Sequence, residues 1–172
     1  MDSAELRASQ APLKARYRDD PETALVTLRA EGTLGDEGVS CSVSTGRALV
    51  EAGLHPAIGG TGLLACSGDM LLEALVACAG VTLRAVATSL GLDVRGTVQA
   101  EGDLDFRGTL GVGKDEAVPV GFTAIRLRFE LEHDEDEAAV AKLLELTERY
   151  CVVFQTLAGG VPVTVSQRLD AH

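Results

Sequence analysis

Alternating and helical hydrophobic patterns divide this chain into a readable series of elements. Residues 24–31 (ALVTLRAE) and 39–44 (VSCSVS) alternate apolar and polar positions, as half-buried strands do, with Val39, Cys41 and Val43 on one face. The turn Gly35-Asp-Glu-Gly38 joins them into a hairpin, and a third short strand is predicted from Arg47 to Ala52. Residues 53–68 are rich in glycine. A long helix is then predicted to start at Ser67 as N-cap, with Asp69 in its first turn, and to run to Leu90 before Gly91. It is apolar nearly all round, which marks a helix covered on most of its faces. Strands follow over 92–101 and 121–132, separated by a glycine-rich, charged stretch over 102–119. Asp134-Glu-Asp-Glu137 opens a second, amphipathic helix whose stripe is Val140, Leu143, Leu144 and Leu146. A short helical piece follows Cys151, and Val161-Pro-Val-Thr-Val-Ser166 is expected to be a closing strand. No internal repeat is apparent. Strands and helices in this order predict an α+β fold with helices packed on antiparallel sheet.

Composition narrows the picture. A chain of 172 residues with 46% hydrophobic side chains can bury one core. We expect an N-terminal arm over residues 1–22, which ends near the break at Asp20-Pro21, and a single domain over 23–172. With aromatics at 3% and no Trp, Val, Leu and Ala must build the interior. Twenty-six acidic against fifteen basic residues give a net charge of −11, a field that repels nucleic acid and anionic membranes. The apolar stretch 70–90 is long enough to span a bilayer, but it carries Glu73 and Arg84, so a core helix is expected. The N-terminus lacks a basic region followed by an apolar run, so no signal peptide and a cytoplasmic location are expected.

Candidate chemistry rests on cysteine. Four are present, Cys41, Cys66, Cys78 and Cys151, without CxxC spacing or clustered histidines. Neither a disulfide framework nor a zinc site is expected, and no cofactor or metal is implied. Cys78 lies inside the apolar run Met70–Arg84 and Cys151 inside Arg149-Tyr-Cys-Val-Val153. Each reads either as a small buried hydrophobe or as half of a redox couple. Cys41 shares its strand face with valines and reads as core. Cys66 precedes the long helix. Of His55, His133 and His172, His55 beside Pro56 is either a pocket donor or a surface-loop residue. Gly59-Gly-Thr-Gly62 lacks the GxxxxGK[ST] pattern and a nearby Lys, so it reads as a flexible approach to the helix, not a phosphate loop.

This order of elements, with one Cys inside the long helix and another after the later helix, resembles the OsmC/Ohr family of thiol-dependent hydroperoxide reductases. The similarity covers roughly residues 24–168, and its most specific pieces are Glu73-Ala-Leu-Val-Ala-Cys78 and Tyr150-Cys151-Val-Val. The family's versions are an Ala-Ala-x-x-x-Cys helix preceded by an Asn-Pro-Glu cap, and Cys-Pro-Val. The resemblance implies an intertwined homodimer of antiparallel sheets around a long central helix, with sites at the interface. It also implies a peroxidatic Cys78 that becomes a sulfenic acid, a resolving Cys151 that closes a Cys78–Cys151 disulfide, and an external dithiol reductant. The substrate would be an organic hydroperoxide.

This chain departs from the family pattern at three places. Gly68 stands at the family's carboxylate position. Asp69 is next to it but about half a turn out of phase with Cys78, and Glu73 points elsewhere, at roughly 100° per residue. The family's activating arginine has no residue-by-residue match; Arg29 and Arg47 are the candidates. Val152 replaces the proline after the resolving Cys. Cys66 falls where the family has the asparagine of its cap. Arg29, Arg47, Asp69 and His55 thus form the candidate shell around Cys78. Two other readings remain: a non-catalytic small-molecule-binding protein on the same fold, and a Cys hydrolase, which would need a His beside Cys78.

Overall fold

The computed structural model describes residues 2–5, 8, 10–11, 31–34, 40–44, 49–110 and 118–167. The first two strands are β1 (Glu31–Leu34) and β2 (Ser40–Ser44), which pair antiparallel with Leu34 opposite Cys41. Strand β3 (Leu49–Gly53) continues the meander, with Cys41 opposite Ala52. A hairpin and the expected third strand are therefore present, with the hairpin's first strand described at Glu31–Leu34 and not over 24–31. The expected turn at 35–38, most of the first strand over 24–31, and the side chain of Cys41 lie outside the described residues. In the expected arm, residues 3–5, 8 and 10–11 are helical.

The glycine-rich stretch holds more structure than its composition suggests. Pro56–Ile58 form a 3-10 turn capped by His55, whose Nδ1 accepts from the Ala57 N–H at 3.1 Å. Ala65–Cys66 then form β4, which pairs in parallel with β3 as Gly53 meets Cys66. A two-residue strand is too short to leave a period in the sequence.

Helix α1 (Ser67–Leu90) leaves directly from β4. Its N-cap is Cys66 rather than the expected Ser67, because β4 pairing holds Cys66 extended and helical dihedrals begin one residue later. No side chain caps this end. At the other end Gly91 takes φ +75°, where a left-handed residue closes the helix by donating to Ala87 O and Thr88 O. Leu75, Ala79, Leu83 and Ala87, spaced four apart, form the buried stripe. The opposite side is left open: Val81 is 72% exposed.

Strands β5 (Val94–Leu104) and β6 (Phe122–His133) make a long antiparallel hairpin, with Val94 opposite His133 and Gly102 opposite Ile125. The intervening stretch contains helix α2 (Phe106–Leu110), which the charged, glycine-rich composition of 102–119 concealed. Alternation places Val98, Ala100, Ile125, Leu127, Phe129 and Leu131 on the half-buried side. Gly96 takes φ +140°, and a Cβ there would meet Glu130 O at 1.9 Å, so only glycine fits.

Helix α3 (Glu137–Tyr150) starts at Asp136, whose carboxylate accepts from the Ala139 N–H at 2.7 Å. Helix α4 (Val152–Gly159) begins two residues after α3 ends, with Cys151 as the shared cap. Helix α1 packs against β5, α3 and α4, and the core cluster is Leu83, Ala87, Val94 and Leu143, flanked by Phe129 and Leu131. Helix α1 is long and apolar enough to cross a membrane by length and composition. Its buried stripe lies instead inside this core. An Arg84 guanidinium donates to Val94 O at 2.8 Å and pins α1 to the start of β5.

The expected closing strand does not form. Residues 161–167 pair with no strand among the described residues, and Val161, Val163 and Val165 stand open, the last 94% exposed. The alternation is that of a strand, but the described part of the chain supplies no partner for it.

Candidate active site

Helix α1, which carries Cys78, meets the junction of α3 and α4, which holds Cys151. Cys78 sits in the middle of α1, half-buried, one turn after Leu75. Cys151 is the residue between α3 and α4 and is 1% exposed. The turn there is tight: the Cys151 N–H donates to Thr147 O, and Cys151 O accepts from the Gln155 N–H, both at 2.9 Å. Thr147 itself is buried and returns its hydroxyl to Leu143 O at 2.8 Å. The backbone around Cys151 is therefore held from both sides.

This geometry brings the thiols together and treats them differently. For Cys78, burial opposes the thiolate. Donors more than offset it: the Val153 N–H, the Cys151 thiol, the Val152 N–H and the Thr82 hydroxyl hold its pKa below the ordinary thiol value. Val152 and Val153 are the first two residues of α4, whose N–H groups lack intrahelical partners and favour a nearby anion. For Cys151, burial dominates and pushes the thiol up. The Phe154 and Val153 N–H groups work the other way, while proximity to Cys78 adds to the rise. The pair thus consists of a half-buried sulfur whose pKa is lowered and a buried one whose pKa is raised. All three described cysteines, Cys66, Cys78 and Cys151, are free thiols.

The candidate shell residues are placed apart from this pair. Arg29 and Arg47 lie outside the described residues. Asp69 and His55 line a recess of about 370 Å³ at the start of α1, together with Cys66 and Phe106. His55 stacks on Phe106 with ring centroids 4.9 Å apart. Nine residues of helix separate Asp69 from Cys78, about 13.5 Å at the usual rise. Glu73 is exposed on α1. The groups that lower the Cys78 pKa are instead Cys151, the first N–H groups of α4 and Thr82. Thr82 follows Cys78 by four and shares its helix face, a spacing that the sequence displays; the donors of α4 depend on a chain crossing that no local pattern encodes.

Beside the thiols lies an apolar cavity of about 320 Å³, lined by Leu75, Phe122, Ile125, Leu127, Phe154 and Leu157 among others. Neither sulfur lines it. Leu75 precedes Cys78 by three residues and Phe154 follows Cys151 by three, so its wall stands one turn from each. Among the described residues, no three His, Cys, Asp or Glu side chains gather as a metal site would require.

Comparison with known proteins identifies the fold. Several solved structures are similar in architecture at low sequence identity. An OsmC-like protein from Mycoplasma pneumoniae superposes with a TM-score of 0.64 at 16% identity, covering 78% of this chain and 89% of its own. An organic hydroperoxide resistance protein from Elizabethkingia anophelis gives 0.56 at 18%, covering 79% and 91%. An organic hydroperoxide resistance protein OsmC from Legionella pneumophila, also described as a predicted redox protein, gives 0.55 at 18%, covering 78% and 91%. No curated protein matches the sequence. The family model for OsmC-like proteins matches residues 60–166, from the glycine-rich approach to α1 through the extended tail. That span covers more than half of the chain and both paired thiols, and the chain belongs to the OsmC family.

Proposed function

We propose that this protein is a thiol peroxidase that reduces organic hydroperoxides to alcohols, with Cys78 as the attacking and Cys151 as the resolving thiol. One observation carries the reading: two free thiols stand together at the start of α4, one with its pKa lowered by neighbouring donors and the other with its pKa raised by burial. The Cys78 thiolate attacks the distal oxygen of ROOH. The O–O bond breaks, ROH leaves after taking one proton, and Cys78 becomes a sulfenic acid. The Cys151 thiol then displaces hydroxide from that sulfur, which leaves as water with a proton, and the Cys78–Cys151 disulfide forms. An external dithiol returns both to thiols by exchange. Because Cys151 stands near the Cys78 sulfur, the second step needs little movement. The structural neighbours from Legionella and Elizabethkingia are named for organic hydroperoxide resistance, which supports the same chemistry here.

The protein acts as a homodimer in the cytoplasm. The exposed side of α1 around Val81 and the open valines of residues 161–165 are apolar surface that a second copy would cover. The unmatched activating arginine remains a role for Arg29 or Arg47.

The test is a titration of reduced protein with one equivalent of cumene hydroperoxide, followed by thiol counting and peptide mass spectrometry. Loss of two thiols as a Cys78–Cys151 disulfide is expected, with Cys78→Ser inert and Cys151→Ser trapping a dimedone-reactive sulfenic acid. Persistence of hydroperoxide with Cys78 still reduced would instead leave a binding protein that uses its cavities without redox chemistry.

A further inference from the structure

Phe122 stands at a junction. It lines the apolar cavity beside Leu75 and Phe154, and it also lines the recess that holds His55, Cys66 and Asp69. The two spaces, of about 320 and 370 Å³, follow one another along α1: Leu72 belongs to the recess and Leu75, one turn later, to the cavity. A third hollow beyond the recess, of about 250 Å³, shares Phe122 as well.

Small residues make room for the ring. Gly102 lies beneath it, where a Cβ would approach Phe122 Cε1 to 2.4 Å, and at Gly68 a Cβ would be 3.5 Å from Cζ. Phe122 pairs with Leu104, where the register shift at Asp103/Leu104 re-aims the start of β6. The bulge and two glycines thus set one aromatic ring at the boundary that the two spaces share.

We propose that Phe122 is the partition of a single elongated channel and sets the length of apolar molecule the cavity beside the thiols accepts. With the ring in place, the cavity takes a compact apolar group. With the ring removed, a long alkyl chain passes along α1 into the recess at Cys66. The inference deepens the peroxidase reading by assigning its substrate preference to compact organic groups; the binding it describes does not depend on that reading. Cys66 serves as a built-in reporter, because it lines the recess and the third hollow but not the cavity beside Leu75 and Phe154.

The experiment compares the full chain with Phe122→Ala and Phe122→Leu, each first shown to unfold cooperatively. Alkylation of Cys66 by N-ethylmaleimide is followed by mass spectrometry with and without 1-decanol or tert-butyl alcohol. We expect 1-decanol to slow Cys66 alkylation at least threefold in Phe122→Ala, less in Phe122→Leu and not in the wild type. Tert-butyl alcohol should have no effect in any of them. In parallel, the ratio of kcat/KM for decyl hydroperoxide to that for tert-butyl hydroperoxide should rise about tenfold in Phe122→Ala. Equal protection of Cys66 by 1-decanol in all three proteins, or in none, would overturn the partition. So would an unchanged kcat/KM ratio in an active enzyme. If Phe122→Ala fails to unfold cooperatively, Phe122→Leu against wild type decides. If the wild type consumes neither hydroperoxide, the peroxidase reading fails while the alkylation result still judges Phe122.

Discussion

A thiol becomes a nucleophile only when its proton leaves near neutral pH, so the Cys78 donors decide its reactivity. Because they lower its pKa, Cys78 should alkylate with a pH midpoint below that of a free thiol, and Cys151 with one above it. The measurement is iodoacetamide rate against pH, resolved by peptide. Thr82→Val removes one donor and should slow Cys78 several-fold at pH 7 while leaving the high-pH plateau unchanged. Val152 offers a sharper contrast. It is 69% exposed at the first position of α4, where proline is well tolerated, yet its N–H helps lower the Cys78 pKa. Val152→Pro restricts the unfolded chain, but the loss of an N–H that serves Cys78 offsets the gain of about 0.4–1 kcal/mol seen where no such partner is lost, so no net rise in stability is expected. The same change should raise the Cys78 midpoint, because a donor is lost. An unchanged midpoint would remove the Val152 N–H from the account.

Among the elements, the packed stripe of α1 and the β5–β6 hairpin carry the stability. Leu75→Ala should cost about 2–5 kcal/mol by leaving a cavity at a fully buried site. Gly96→Ala should cost more than an ordinary surface change, because its φ of +140° and the Glu130 carbonyl leave no space for a methyl group. Both are read by denaturant unfolding of the reduced protein. These were also the elements most legible in the sequence. Long periodic runs such as Leu143-Leu144-x-Leu146 and the alternation of 121–132 survive any tertiary context. Short elements did not show: β4 has two residues, and α2 hides among glycine and charge. The tail over 161–165 misled in the other direction, since alternation measures a strand's faces and says nothing of its neighbour. At the site, the positions of both cysteines could be read from the chain. The donors on Cys78 could not, because the N–H groups of α4 carry no side-chain signature. Asp69 and His55, read as shell candidates, gather instead around Cys66.

At the scale of the whole molecule, an apolar helix covered on one side and a strand-like tail without a strand partner among the described residues make a surface that water wets poorly. The tail's three open valines make it the simplest place to test assembly. Val163→Lys with Val165→Lys should shift the protein toward monomer in sedimentation or light scattering, while the Val81→Lys change should do the same from the α1 side. A wild type that stays monomeric at tens of micromolar would reject the dimer. The long-range architecture also explains why activity and folding are joined here: the thiol pair exists only where α1 meets the junction of α3 and α4, so a change that loosens this crossing separates the sulfurs.

The bare start of α1 has a practical meaning. Cys66 holds the cap position of a 24-residue helix without any side-chain bond. Aspartate or serine at such a position is typically worth about 0.5–2 kcal/mol over an uncapped residue. For a chain of this size, each kcal/mol moves the thermal midpoint by about 2–4 °C. The protein therefore holds unused thermal headroom at a single position, open to an engineer through Cys66→Asp. A variant that melts higher while consuming hydroperoxide at the wild-type rate would mark the third thiol as dispensable for turnover.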